Sequence, residues 1–442
     1  MCMGRFVPRA IDLLFVLSVL ELVLGVGGHL FEITEIISIR MFLFALILLL
    51  GVGHVAVKGY LRLGKLSSLF ALIGVLTFLQ GSIVGLIHGN QAKYILGDAN
   101  AFLFPLYGIA AFHFAREHHW SVQTIVRLVL AAVTLLAAAV DLAFLGMVLR
   151  YLDPSHLKEL FESTFKFEVV IGPTIRIFFI NEIFLVVFGV IVFSIIMLST
   201  SLRVGMTLIL CTLLQALIAS DSRGLQIGAL VGFLVASLLM PGMLQKARLY
   251  VALTLFLVFI VVDIGLIRLN PEVSTRIIEA ANITEPSNKV RFAQTPFLWD
   301  RFKDRPLLGN GFGTTVEGVV RSEQNPYSFE LVPLEVLMKL GILGPLIWFA
   351  FFARMGLEMK SAIARASETP LEKSVLIGSA GGLCAILVAS MTNPFFNSSI
   401  GMGMIIFFTL AVDLIQNNEF VCRLKRESNT LLPRIIVETQ SR

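Results

Sequence analysis

The sequence predicts an all-α polytopic membrane protein of about twelve transmembrane helices, on three observations. Apolar residues fill 57% of the 442 positions and charged residues only 15%, with a mean hydropathy of +0.86, against roughly a quarter charged in soluble proteins. The apolar residues gather in windows of about 17 to 25, each long enough to cross a hydrocarbon core of roughly 30 Å as a helix. Lys and Arg of the short loops gather on one side, as the positive-inside bias requires. A soluble enzyme is excluded. The net charge of +5 reads as that same bias and not as nucleic-acid binding. A transmembrane β-barrel is disfavoured, because its segments are short and alternate.

The windows lie at 11–27, 37–57, 66–88, 98–115, 123–148, 177–199, 205–220, 224–240, 249–267, 330–353, 374–391 and 399–416. The first follows Arg5 and Arg9 without a small-x-small cleavage site, so it reads as a span and not as a cleaved leader. The windows 205–220 and 224–240 are parted only by Asp221, Ser222 and Arg223; one helix through both would far exceed bilayer thickness, so a tight re-entry is expected. Arg5, Arg9, Lys58, Arg62, Lys65, Arg116, Arg203, Lys246, Arg248 and the tail residues Arg423, Lys425, Arg426 and Arg434 share one side. Both termini are therefore expected in the cytoplasm. The organisation is then nine helices over 1–267, a large outer loop at 268–329, three helices over 330–416 and a tail at 417–442. Cys2, Cys211, Cys384 and Cys422 lie far apart and suggest neither a disulfide framework nor a metal site.

Two outer loops stand out. The segment 268–329 carries eight Lys and Arg and seven Asp and Glu, yet also Phe292, Phe297, Trp299, Phe302, Leu307, Leu308 and Phe312 to pack with. An ordered, functional loop is expected, since long loops in compact proteins are rarely idle. The segment 149–176, with Leu157, Leu160, Phe161, Phe165 and Phe167 among mixed charges, suits a short amphipathic surface helix.

Charge at a membrane edge needs a reason. In Asp221-Ser222-Arg223-Gly224 that reason is either a salt bridge within a turn or an arginine fork held out to phosphate oxygens, and position alone does not choose. Arg301, Lys303 and Arg305 interleave with Asp300 and Asp304 as a solvated face does, whereas Arg291 stands away from acids beside Phe292. The Gly309, Gly311 and Gly313 triplet in Pro306-Leu-Leu-Gly-Asn-Gly-Phe-Gly313 lacks the lysine and the βαβ context of a phosphate loop. Glu335 and Lys339 share a helical face as an i,i+4 pair, which alone signals a structural ion pair; Glu330 opens the same span.

Taken in order, Ser222-Arg223-Gly224 opening a span, Arg291 before Trp299, Pro306-Leu-Leu-Gly-x-Gly-x-Gly, a polar residue opening a span with Lys339-x-Gly-Ile-x-Gly344, and Asn393-Pro394-Phe-Phe resemble the superfamily of O-antigen ligases and O-antigen polymerases. The resemblance covers roughly 220–400 closely and the N-terminal half only as a hydropathy profile. It implies a GT-C-like, inverting, metal-independent glycosyl transfer at the outer face of the bacterial inner membrane, with a glycan on undecaprenyl pyrophosphate as donor and no cofactor. Ligase members carry His-Asn at the start of the span after the large loop, where this chain has Glu330 and Leu331. A Glu with a downstream Lys-x-Gly looks more like the polymerases, in which one lipid-linked glycan is transferred onto the repeat unit of another.

The residue types suit that chemistry independently: leaving diphosphate needs cations, and the acceptor hydroxyl can use a base. Arg223 and Arg291 are the candidate cations and Glu330 the candidate base. The substrate-binding set expected around them is Arg223, Arg291, Asp221, Trp299, Arg305, Tyr327, Lys339 and Asn393. Expected partners are the lipid-linked oligosaccharide, membrane lipid, a flippase and a chain-length regulator, and no nucleic acid. A ligase or protein O-oligosaccharyltransferase is the near alternative. A secondary transporter is the alternative of a different class, and it would have to use Asp141, Glu182 and Asp263; the missing internal repeat and the long ordered loop weigh against it.

Overall fold

A computed structural model describes residues 3–25, 38–148, 151–152, 168–171, 175–178, 180–198, 203–220, 222–240, 286–316, 318–319, 325–365, 369–391 and 393–417. Thirteen helices are described: α1 Met3–Leu24, α2 Ile39–Lys58, α3 Lys65–Ile87, α4 Ala92–Glu117, α5 Val122–Val148, α6 Ile183–Leu198, α7 Arg203–Ala219, α8 Arg223–Leu239, α9 Pro286–Asp304, α10 Val332–Leu340, α11 Leu343–Arg365, α12 Pro370–Ala389 and α13 Ser399–Asn417. Six are at least 18 residues long and apolar enough to cross a membrane, and α10 with α11 forms a seventh, bent candidate. Eleven of the twelve apolar windows hold a helix. The twelfth, 249–267, lies outside the described residues.

Three expectations need correction. The window 330–353 is not one straight span: α10 and α11 meet at an angle of 119°. Gly341, at φ 63°, turns the chain there, and Ile342 donates its N–H to the Pro306 carbonyl at 2.8 Å in place of an intrahelical partner. The window 177–199 becomes helical only from Ile183. Before it, β1 (Glu168–Ile171) and β2 (Ile175–Phe178) pair antiparallel and a 3-10 turn spans Ile180–Glu182. Those strands also replace a helix in the last part of 149–176; residues 153–167 lie outside the described set.

The bundle has two chemically distinct ends. At one, the loops carrying Arg62, Lys65 and Arg116 meet the C-terminus of α13. Asp413 accepts from the Ser67 N–H at 3.0 Å, Arg116 donates to the Leu63 carbonyl at 3.2 Å, and Asp12 accepts from His118 and the Trp120 indole at 2.7 and 2.9 Å. At the other end lie the C-terminus of α3, the N-terminus of α4, the segment 305–316 and the α10–α11 bend. We call these the basic end and the loop end.

Small residues let the helices between the two ends approach closely. α12 packs against α6 and α8, and α3 against α4. Gly381 faces the Gly232 carbonyl so closely that a Cβ at Gly232 would lie 3.1 Å from the Gly381 carbonyl oxygen and 2.8 Å from Val190, which suits helices held by packing more than by a hydrophobic drive. Gly228 lies against Ala385 and Ala389, so α8 and α12 run antiparallel and Arg223 stands at the end where α12 finishes. An aromatic cluster ties that end together: Trp348 packs edge-on to Phe396 at 5.1 Å and donates its indole N–H to Thr77 at 3.1 Å, while Phe102 stacks on Phe312 at 5.1 Å.

Candidate active site

The site is assembled on a strap, the segment 305–316, which is threaded between α3, α4 and the α10–α11 bend. Its glycines work through backbone contact and not as a phosphate cradle. Asn310 and Gly311 donate their N–H groups to the Met338 and Lys339 carbonyls at 2.9 and 2.8 Å, and Phe312 donates to the Gly81 carbonyl at 2.8 Å. These bonds satisfy the carbonyls that end α10. Asn90, just before α4, donates to the Asn310 and Phe312 carbonyls and to Thr314 at 3.1, 2.9 and 3.0 Å. At Gly311, φ is 82° and a Cβ would run into the backbone of Gly85. Gly311→Ala is therefore expected to destabilise well beyond the about 1–2 kcal/mol of a left-handed L-residue. Gly318→Ala, with φ 76° and open space around it, should cost only that conformational part. Thermal unfolding of both variants in detergent checks the difference.

Beneath the strap, Lys339 is 2% exposed, and its ammonium reaches Asp98 on α4 at 2.7 Å, Glu335 one turn back at 2.5 Å and the Tyr327 carbonyl at 2.7 Å. Its three donors are thereby filled. Asp98 in turn accepts the Gly313 N–H at 2.8 Å. The residue expected to bind substrate thus sits in a closed network that clamps α10, α4 and the strap, with Glu335 as the helical partner the spacing indicated. Asp98 was not singled out in the sequence, since its partner lies 241 positions away.

The aromatic ring of Tyr327 lies 5.8 Å from that of Tyr94, and its hydroxyl donates to Asn325 at 2.9 Å. Burial raises the pKa of that hydroxyl and the Asp98 charge adds to the effect, with Lys339 opposing.

Above the clamp, Arg291 and Glu330 meet. The Arg291 Nε lies 3.1 Å from Glu330 Oε2, with side chains 24% and 19% exposed. Arg291 comes from α9, whose inward face also sets Leu298 against Phe329 and Met338 and buries Gln294. Glu330 precedes α10 and is held through its backbone N–H, which donates to Gln294 Oε1 at 3.2 Å. So the structure brings together the cation and the acid that the sequence separated by 39 positions. Gln294 was missed; its only signal was its place one helical turn after Arg291.

The other expected residues are more dispersed. Arg223 is the first residue of α8, after Ser222 as N-cap, and Asn393 lies in the turn that follows α12, its carbonyl accepting from Phe395 N–H at 2.8 Å. Both are at the loop end. Asp221 lies outside the described residues. Trp299 is exposed on α9, with its ring 5.2 Å from Phe302 and 6.0 Å from the Lys303 ammonium. Arg305 lines an open, mostly apolar groove of about 400 Å³ with Val84, Ile87, His88, Leu307 and Leu308. Of the acids a transporter would need, Glu182 ends the 3-10 turn before α6, Asp141 lies within α5 and Asp263 is outside the described residues. Among the described residues no group of three His, Cys, Asp or Glu side chains is arranged around a metal position.

The chain has two likenesses to known proteins. Residues 206–349 match the family model described as O-antigen ligase, a stretch that contains Arg223, Arg291, Glu330, Glu335 and Lys339 and ends within α11. The chain is also similar to an O-antigen polymerase of Shigella flexneri, 24% identical over 407 residues, which cover 90% of this chain and 94% of that protein. Both lie in the superfamily of O-antigen ligases and polymerases that the order of motifs resembles.

Proposed function

We propose that this membrane protein is a polysaccharide polymerase that transfers an oligosaccharide from undecaprenyl pyrophosphate to a lipid-linked repeat unit. The observation that carries the reading is the partly buried Arg291–Glu330 contact, at the end of the bundle opposite the basic loops. By the positive-inside rule that end faces outward, across the bacterial inner membrane from the cytoplasmic termini. The likeness to an O-antigen polymerase over most of both chains supports polymerisation, and so does Glu330 where ligase members carry His.

The reaction follows from the residue chemistry. The acceptor hydroxyl oxygen bonds to the anomeric carbon of the donor while that carbon's bond to the diphosphate oxygen breaks, inverting the configuration. The electron pair leaves on the diphosphate, where Arg291 and Arg223 offset the growing charge. The hydroxyl proton passes to Glu330. In the resting site Arg291 is occupied by Glu330; a diphosphate competes for the guanidinium, so donor binding frees the carboxylate as it engages the cation. The guanidinium groups of Arg291 and Arg223 supply the charge compensation for the departing diphosphate. The apolar groove at Arg305 gives a lipid tail a way along the outer end of α3. A flippase would supply the donor and a chain-length regulator would set when elongation stops.

Complementation tests the proposal. In a strain lacking its own repeat-unit polymerase, the wild-type chain is expected to restore a surface-glycan ladder, and Arg223→Ala at matched expression to reduce it to single repeats. A ladder undiminished by Arg223→Ala removes that arginine from the mechanism. Single repeats with the wild-type chain, the pattern of the uncomplemented strain, would contradict polymerase activity.

A further inference from the structure

Gln294 accepts the Glu330 backbone N–H and has its amide nitrogen left over. The residue is 1% exposed, and its Oε1 accepts the Glu330 N–H at 3.2 Å. An N–H can only be met by the oxygen side of the amide, so this bond fixes the amide's orientation. The NH2 side is then turned away from the Glu330 backbone, and Nε2 is buried with no hydrogen-bond partner. Such orphaned buried donors are few in folded proteins, and each calls for an explanation. Arg291 and Glu330 are more exposed than Gln294, and Gln294 adjoins both, one helical turn along α9 from Arg291 and bonded to the Glu330 N–H, so the unpartnered amide is next to the pair that substrate would part.

We propose that Gln294 Nε2 donates to a hydroxyl oxygen of the acceptor glycan, beside the hydroxyl whose proton Glu330 receives. The inference rests on the polymerase reading and names the acceptor side of the same site. A neutral amide suits a neutral sugar oxygen, whereas the diphosphate oxygens are matched by the guanidinium groups. One residue then couples two tasks: its oxygen sets the Glu330 backbone and its nitrogen registers the sugar against the Glu330 carboxylate.

Kinetics with the purified full-length protein separate these tasks. The donor is the repeat unit on full-length polyprenyl diphosphate, and the acceptor is the same repeat on a short fluorescent alkyl chain. Gln294→Glu keeps an oxygen for the Glu330 N–H but loses both donors, and is expected to raise the acceptor KM roughly tenfold with the donor KM within about twofold. Gln294→Leu also releases the Glu330 backbone and should lower kcat in addition. If Gln294→Glu does not fold, Gln294→Asn, which retracts the amide by one methylene, must show the same shift confined to the acceptor. An unchanged acceptor KM, or an equal rise for donor and acceptor, overturns the assignment. Failure of the wild-type protein to elongate any acceptor instead removes the polymerase reading, and this inference with it.

Discussion

Glu330→Gln is expected to lower polymer formation by roughly 10²- to 10⁴-fold, the range over which a positioned general base acts, with the protein still folded and inserted. The substitution is nearly isosteric and keeps the backbone N–H that Gln294 holds at 3.2 Å, so the local chain path survives. What is lost is the basic oxygen and the charge 3.1 Å from Arg291. Without that competitor the guanidinium is more available to a diphosphate, so donor binding should be retained or tightened while turnover collapses. Donor binding to detergent-purified protein, measured alongside elongation rate, checks both halves. Donor affinity lost in step with turnover would show that Glu330 shapes the site and does not act on the acceptor.

The second large effect falls on stability. Lys339→Met leaves Asp98 and Glu335 facing one another in a buried site without their shared cation. Breaking a buried ion cluster by removing one partner costs about 3–5 kcal/mol, a large part of a folded protein's margin. The expected outcome is poor recovery of monodisperse protein and a strongly lowered Tm in detergent. Adding Glu335→Leu and Asp98→Asn to Lys339→Met removes the stranded charges and should recover much of the loss. If Lys339→Met alone is stable but inactive, the lysine serves substrate and the clamp description is wrong.

Most of the architecture was legible because the bilayer imposes a length and a composition that show up as apolar windows. The ends shifted where local chemistry intervened. Pro286–Asp304 forms a helix inside the long loop because Leu298 and its neighbours have Phe329 and Met338 to pack against, a pairing that a linear pattern does not display. The bend at Gly341 was hidden because a glycine in an apolar stretch reads alike whether it is tolerated or turns the chain. The glycine triplet was legible as special, yet its reason, close backbone contact with α3 and α10, depends on residues more than 200 positions away such as Gly81 and Gly85. Within the site, Arg291 drew notice for standing apart from acids in sequence, and Glu330 for opening a span. Their direct contact and the service of Gln294 to Glu330 required the fold of α9 over α10.

The most direct test of the central claim is elongation by the purified protein reconstituted in liposomes, with the lipid-linked repeat unit as both donor and acceptor and products read by mass spectrometry. Lipid-linked dimers and longer oligomers are expected, with one undecaprenyl diphosphate released per bond formed, and loss of both in Arg291→Gln. Absence of oligomers from the wild-type protein, with transfer instead to an added lipid A core acceptor, would contradict that claim.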